Sequence, residues 1–188
     1  MPPIIKTDRA DMLDAVIAVI EQDGIGAVSA RSVASRLNIS TQPIYREFGD
    51  MDGLIKAARE RGFEFFRECV KGDAADQAVK YVAFAGKHKN LFNFLFRDAG
   101  FRYAGLDDLS HKLLPSSDII DRLTEITALP REQAYRVHLY IWMALCGIAC
   151  HAVDNDLFVD ENEIKDFTVT LTRALAKYFK EEDGFVRT

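Results

Sequence analysis

The segment Val-Ser-Ala-Arg-Ser-Val-Ala-Ser-Arg-Leu-Asn-Ile-Ser-Thr-Gln-Pro-Ile-Tyr-Arg-Glu-Phe at residues 28–48 decides the fold of the N-terminal part of this 188-residue chain. Its first half predicts a short helix over 30–37. Ser29 has the side chain preferred at a helix N-cap, because its hydroxyl can accept a hydrogen bond from a free backbone N–H. The apolar positions of this helix fall on one face at helical spacing, namely Val33, Ala34 and Leu37.

The second half of the segment predicts a tight turn and another helix. The turn is Asn38-Ile39-Ser40, in which Asn38 tolerates a left-handed backbone and Ile39 is expected to fill the space between the helices. We expect Ser40 to cap a helix over 41–48. Pro43 suits its first turn, where a missing N–H breaks no intrahelical hydrogen bond.

Helical periodicity continues on both sides of this segment, and no stretch shows the alternation of a β-strand, so we predict an all-α fold. A helix over 8–23, with Thr7 as its N-cap and Gly24 as its stop, is expected before the segment. Further helices are expected at about 52–69, 74–87, 89–97, 106–114, 117–128, 131–154 and 161–182. The last two are apolar on more than one face, which favours a homodimer formed through them.

The second helix of the segment has the size and the polar face of a helix that enters the major groove of DNA. Thr41 and Gln42 can contact base edges, and Tyr45 and Arg46 can reach phosphates. Arg31, at the start of the preceding helix, can reach either. The predicted DNA-binding set is Arg31, Ser40, Thr41, Gln42, Pro43, Tyr45 and Arg46.

The charge of the chain does not by itself indicate a nucleic-acid partner. The formal net charge is -5. Residues 1–61 hold eight Lys and Arg against nine Asp and Glu, so this part is nearly neutral. Binding to DNA would therefore depend on a few placed arginines and on two copies of the chain acting together.

The run from Met12 to Ile55 resembles the N-terminal domain of TetR-family transcriptional regulators. The matching elements are Ala15-Val16, Gly24, Val28-Ser29, Arg31, Val33-Ala34, Leu37-Asn38-Ile39-Ser40, Ile44-Tyr45-Arg46-Glu47-Phe48 and Leu54-Ile55. The resemblance implies a helix-turn-helix domain over 1–55 and an all-α ligand-binding and dimerisation domain over 56–188. It also implies a homodimeric repressor that binds a palindromic operator and is released by a small-molecule effector.

Two positions depart from the pattern of that family. Its fourth helix commonly opens with a phosphate-binding Lys, whereas this chain has Met51 between Asp50 and Asp52. Its turn often has Gly where this chain has Asn38. The first departure removes one expected contact with the DNA backbone.

A dense set of phenylalanines marks the C-terminal part, where eight of the thirteen lie between residues 63 and 101. Such a cluster can line a pocket for an apolar or aromatic effector, or can simply be core packing. The segment Trp142 to Gly147 resembles a Trp-x-x-x-His-Gly motif of one TetR subgroup, with Cys146 in place of His. The predicted ligand-binding set is Phe66, Phe84, Phe92, Phe96, His138, Trp142 and Cys146.

Other functional classes find little support in the sequence. Cys146, Cys150 and His151 have a spacing that can chelate a metal, but they lie in an apolar stretch where cysteine acts as a small hydrophobe, so we predict no metal and no cofactor. No phosphate-binding loop or hydrolase motif is present, so we predict no enzyme.

Three cysteines, no signal peptide and no long apolar run favour a cytoplasmic protein without a membrane span. The alternative is a helical ligand-binding protein or enzyme whose helix-turn-helix is only structural.

Overall fold

The chain is mostly helical in the part that the computed structural model describes, which is residues 8–98, 105–106, 108, 117–155 and 157–186. These residues contain no β-strand, and the all-α prediction is confirmed. The chain forms two compact units. The first runs to Cys69 and takes in the segment that begins at His88, and the second comprises Val70–Lys87 and the described residues from 105 onward. The domain boundary expected after residue 55 stays a prediction.

The first unit consists of five helices among its described residues, with a short 3-10 turn at Ile25–Ala27. They are α1 (Arg9–Asp23), α2 (Ala30–Leu37), α3 (Gln42–Phe48), α4 (Met51–Cys69) and α6 (Lys89–Phe92), which continues as a π-helical turn over Asn93–Arg97.

The helix ends of the first unit follow the chemistry of their capping residues. Asp8 caps α1 and forms a capping box with Asp11, so the expected cap by Thr7 is replaced by its neighbour, and Thr7 itself lies outside the described residues. Ser29 caps α2 as predicted, because its side chain accepts a hydrogen bond from the backbone N–H of Ser32. In turn, the side chain of Ser32 accepts a hydrogen bond from the backbone N–H of Ser29. The predicted left-handed Asn38 is confirmed, with φ 55° and ψ 43°.

The core of the first unit is built around α1, which packs against α2, α4 and α6. Its centre includes Val16, Ile20, Val33, Ile44 and Leu54, all nearly inaccessible to solvent. The segment 88–98 adds four residues with no exposed surface, which are Leu91, Phe92, Phe94 and Leu95. This segment is therefore an integral part of the core of the first unit.

Gly62 lets α4 approach α6 closely. A Cβ built on Gly62 would lie 2.9 Å from Leu95 Cδ2, 3.4 Å from Leu91 Cδ1 and 3.5 Å from Ile17 Cδ1. Arg59, one turn earlier, donates a hydrogen bond to the carbonyl oxygen of Phe94 and places its guanidinium 4.2 Å from the centre of the Phe94 ring. These contacts fix the segment 88–98 on α4.

The second unit has a long central helix surrounded by three others. Its helices are α5 (Ala74–Lys87), α7 (Ser117–Thr127), α8 (Arg131–Asp154) and α9 (Glu161–Val186). α8 packs against α5, α7 and α9, and α5 also packs against α9. The predicted bounds of α5 and α8 are confirmed, α9 runs past the expected end at 182, and most of the expected helix at 106–114 lies outside the described residues.

By length and composition, α8 is apolar enough to cross a membrane, so the expectation that no run is long enough is wrong in that respect. Its buried residues explain the composition, because they form the side that packs in the second unit: Ala134, Val137, Leu139, Ile141, Trp142, Leu145, Ala149 and Ala152. Cys146 and Cys150 are half-buried on the same helix, and neither they nor Cys69 form a disulfide.

Candidate DNA-binding interface and effector site

The turn between α2 and α3 is held by backbone hydrogen bonds from its first two residues. Asn38 donates its N–H to the carbonyl oxygens of Ala34 and Ser35, and Ile39 donates to Ala34 at 3.0 Å. These bonds satisfy carbonyl groups that the end of α2 would otherwise leave free. Ile39 is half-buried. Ile44, only 1% exposed, fixes α3 on the core from its inner side.

The outer face of α3 carries the side chains expected to bind DNA. Gln42, Tyr45 and Arg46 are exposed, and Tyr45 has 47% of its surface accessible. Arg31 is exposed at the start of α2, and Ser40 is exposed in the turn, whereas Thr41 and Pro43 are half-buried. The structure thus presents the predicted set on α3, the preceding turn and the start of α2.

The start of α3 differs from the prediction in its cap. The helix begins at Gln42, with Thr41 at the N-cap in a helical conformation, and no side chain makes a cap hydrogen bond. The expected cap by Ser40 is therefore wrong. Thr41 occupies the N-cap position that was expected for Ser40, so the helix starts one residue later than predicted. The Ser40 side chain is exposed to solvent.

Arg9 connects the start of α1 with the end of α3, a contact that no sequence pattern predicts. Its Nη1 lies 3.2 Å from Glu47 Oε1, and its guanidinium lies 4.7 Å from the centre of the Phe48 ring. Opposite charges 38 positions apart carry no local periodic signal, so this contact depends on the tertiary fold.

The start of α4 is acidic, as the sequence suggested. Asp50 Oδ1 accepts a hydrogen bond from the Gly53 N–H at 2.8 Å, and Asp52 is exposed in the first turn. Met51 is half-buried between them. Carboxylates suit the positive end of a helix dipole, but they repel a phosphate group that would approach there.

The predicted ligand-binding residues fall into two groups. Phe66 and Phe92 each lie 5.0 Å from Phe96, measured between ring centres, and Phe63 lies 5.6 Å from Phe96 in an edge-on arrangement. These rings belong to the first unit. The other four predicted residues, Phe84, His138, Trp142 and Cys146, belong to the second unit.

His138, Trp142 and Cys146 lie on one face of α8 at intervals of four residues. Tyr81 of α5 interacts with Trp142 and Cys146. Burial lowers the pKa of His138 to about 4 and raises that of Tyr81 well above its ordinary value, with Cys146 adding to the effect on Tyr81. His138 Nε2 and Trp142 Nε1 are both buried without a hydrogen-bond partner. Sequence reasoning missed Tyr81, whose position among apolar residues of α5 gives no functional signal.

A separate pocket of about 520 Å³ opens in the second unit beside the start of α9. Val79 and Val82 of α5, Ala152 of α8 and Ile164 of α9 line its buried side, and Phe158 lies at its rim with 89% of its surface exposed. None of the predicted ligand-binding residues lines this pocket.

Comparison with known proteins finds similar sequences for the N-terminal segment. Residues 12–58 match the family model described as bacterial regulatory proteins of the tetR family. The transcriptional regulator BetI of Paraburkholderia phymatum is 45% identical over 49 residues, and BetI of Paraburkholderia xenovorans is 43% identical over the same length. The matched stretch spans 26% of this chain and only 25% of each relative.

Solved structures resemble a much larger part of the chain. A protein of unknown function from Rhodococcus sp. RHA1 covers 94% of it with a TM-score of 0.68 and 24% identity. All of that protein is covered by this chain. A member of the TetR family from Streptomyces coelicolor A3 covers 87% with a TM-score of 0.62 and 20% identity, and the chain covers 96% of it. These likenesses establish the fold. The match to the tetR family model is confined to residues 12–58, the stretch that contains α2, the turn and α3.

Proposed function

We propose that this chain is a DNA-binding transcriptional regulator, acting as a homodimeric repressor that a small-molecule effector releases from a palindromic operator. The observation that carries the proposal is the exposed polar face of α3, which α2 holds through the left-handed turn at Asn38. A short helix held in this way is the element that helix-turn-helix proteins place in the major groove.

The side chains of this face take different roles in the proposal. Gln42 and Thr41 contact base edges and provide specificity, whereas Tyr45 and Arg46 contact phosphates and provide affinity. Arg31 reaches the same groove from α2, and Ser40 and Pro43 place the start of α3 against the backbone. Met51 supplies no positive charge, so the affinity of a single subunit is low.

A second copy of the chain is proposed to pack on α8 and α9. Both helices expose large apolar side chains, which are Tyr140, Met143, Phe167, Val169 and Tyr178. Phe167, Ala174 and Tyr178 follow one another at helical spacing on α9, and Tyr140 and Met143 do so on α8. Contiguous apolar surface of this kind is typical of a face that a partner covers. In the dimer the two α3 helices would contact half-sites about 34–36 Å apart.

Effector binding is proposed to take place in the part of the chain outside the helix-turn-helix domain and to change the separation of the two α3 helices. The candidates are the aromatic group Phe66, Phe92 and Phe96, and the group Phe84, His138, Trp142 and Cys146. An effector with an apolar or aromatic body suits both groups. The effector domain is proposed to need no metal and no cofactor, and the regulator is proposed to be cytoplasmic and without enzymatic activity.

The test is DNA binding by the purified full-length protein. Fluorescence anisotropy with duplexes from upstream of its own gene, at a stated low salt concentration, is expected to show saturable binding of two subunits to one site. A scrambled duplex of the same composition is expected to bind at least tenfold more weakly. Equal binding to both duplexes, or none to either, would favour the alternative in which the helix-turn-helix is only structural.

A further inference from the structure

Within the part of the chain that the structure describes, two buried nitrogen atoms on α8 lack hydrogen-bond partners, and the residues that carry them are one helical turn apart. They are His138 Nε2 and Trp142 Nε1. A buried polar atom without a partner costs about 1–3 kcal/mol, so two on the same face of one helix call for an explanation. Neither lies near the exposed face of α8, where Tyr140 and Met143 face solvent.

No charged side chain in the described part of the chain contributes to the shifted pKa of His138. Burial alone accounts for the low pKa of His138, so this imidazole is neutral at physiological pH. The groups that act on the hydroxyl of Tyr81 are Cys146, Cys150 and Trp142. Trp142 Nε1 lies near that hydroxyl without a hydrogen bond of acceptable geometry.

This chemistry restricts what the cluster can bind. An ionic ligand would lose its hydration and find no opposite charge in return. A purely apolar ligand would leave both nitrogen atoms unsatisfied. An oxygen that accepts from the indole N–H of Trp142, and that exchanges a hydrogen bond with the neutral imidazole of His138, would satisfy both.

We infer that His138 and Trp142 bind the polar end of an uncharged ligand through a hydroxyl or carbonyl oxygen, with Tyr81 next to Trp142. The inference rests on the proposed function in taking the second unit as an effector domain. It narrows the effector from apolar or aromatic compounds in general to neutral compounds that carry such an oxygen.

The experiment uses Trp142 as its own reporter, because it is the single tryptophan of the chain. Four probes of nearly the same shape are titrated into the full-length protein, namely benzyl alcohol, toluene, benzoate and benzylamine. Benzyl alcohol is expected to change the tryptophan emission in a saturable way. Toluene is expected to bind about tenfold more weakly, and the two ions are expected to give no saturable change over the same concentrations.

Variants separate the hydrogen bond from general packing. His138→Phe is expected to abolish the preference for benzyl alcohol over toluene, while His151→Phe, at an exposed position of the same helix, keeps it. Trp142→Phe, measured by calorimetry, is expected to lower the affinity for benzyl alcohol about tenfold. The inference is overturned if benzyl alcohol gives no saturable response, if an ion binds as well as benzyl alcohol, or if His138→Phe retains the preference.

DNA binding measured on the same preparation distinguishes this inference from the proposed function. If the protein binds DNA from upstream of its gene but does not prefer benzyl alcohol among the four probes, only the inferred class of ligand is contradicted. A protein that passes the probe series and binds no DNA contradicts the proposed regulator and leaves the site in place.

Discussion

At the scale of single residues, the same polar atoms have different consequences on a surface and in an interior. The hydrogen-bonding groups of Gln42 and Arg46 are exposed to water, so they can exchange their hydrogen bonds with water for hydrogen bonds with DNA at little cost. His138 Nε2 and Trp142 Nε1 are already buried away from water, so only a ligand that forms hydrogen bonds with them can offset the cost of their desolvation. Substitutions at the exposed residues should therefore change DNA binding, whereas substitution of buried His138 should change the pH dependence of stability.

Arg46→Ala is expected to weaken binding to every DNA sequence and to lower the salt dependence of binding by about one counterion for each subunit, since a phosphate contact is lost. Gln42→Ala is expected to reduce discrimination at one base pair by about 1–3 kcal/mol. Anisotropy titrations at several salt concentrations measure both effects. Arg122→Ala, which removes the same charge from the second unit, is the control, and an equal effect from it would contradict the assignment of α3.

His138 is expected to make the protein sensitive to acid. Its pKa is about 4 in the folded chain and about 6.5 when exposed. The unfolded state therefore binds the proton more readily, and the free energy of unfolding should fall as the pH drops from 6.5 towards 4. Between pH 7 and pH 5 the loss attributable to His138 is about 2 kcal/mol.

Urea unfolding at the two pH values measures this loss. In His138→Phe it should be absent, whereas in the exposed His151→Phe it should persist. Parallel pH profiles for wild type and His138→Phe would show that the buried imidazole does not account for the acid sensitivity.

At the scale of secondary structure, local signals fixed most helix ends and long-range packing fixed the remainder. Helix α8 runs from Arg131 to Asp154 as predicted, because Pro130 and Asn155 bound a continuous helical pattern. The π-helical turn over Asn93–Arg97 has no propensity signal of its own and was expected as ordinary helix. The contact of α6 with α1 likewise depends on residues some seventy positions apart, which periodicity cannot detect.

The close approach of α4 and α6 predicts opposite effects for two glycine substitutions. Gly62→Ala is expected to destabilise the chain by about 1 kcal/mol, because its Cβ would press on Leu95 and Leu91, which have no room to move, and this outweighs the gain in helix propensity. Gly86→Ala in α5 meets no atom within 4 Å and should stabilise the chain by up to about 1 kcal/mol. Urea unfolding of both variants gives the comparison, and shifts of the same sign would refute the packing argument.

At the scale of the whole molecule, the residues proposed to bind DNA lie close together, whereas those proposed to bind a ligand do not. The α3 residues are neighbours in the chain, so a local pattern is enough to find them. The seven predicted ligand-binding residues come from four separate helices, and the structure divides them between two units. Tyr81, Arg9 and the pocket beside α9 depend on tertiary contacts and have no sequence signature.

The proposed dimer predicts that a charge placed in the apolar stripe of α9 separates the subunits. Ala174→Glu introduces a carboxylate between Phe167 and Tyr178, where burial in an interface would strip its hydration. Sedimentation velocity is expected to show a dimer for wild type and a monomer for this variant. Ala10→Glu makes the same change at an exposed position of α1 and should leave the dimer intact; a dimer that tolerates Ala174→Glu must use another surface.

The first unit is discontinuous in sequence, since residues 88–98 complete a core that begins at α1. A recombination event that exchanged only the first seventy codons would deliver a DNA-binding domain whose core lacks its own Leu91, Phe92, Phe94 and Leu95. The recipient gene would have to supply matching side chains at those positions. In the proposed regulator, operator specificity could therefore be inherited separately from effector specificity only if both stretches of the gene were exchanged together.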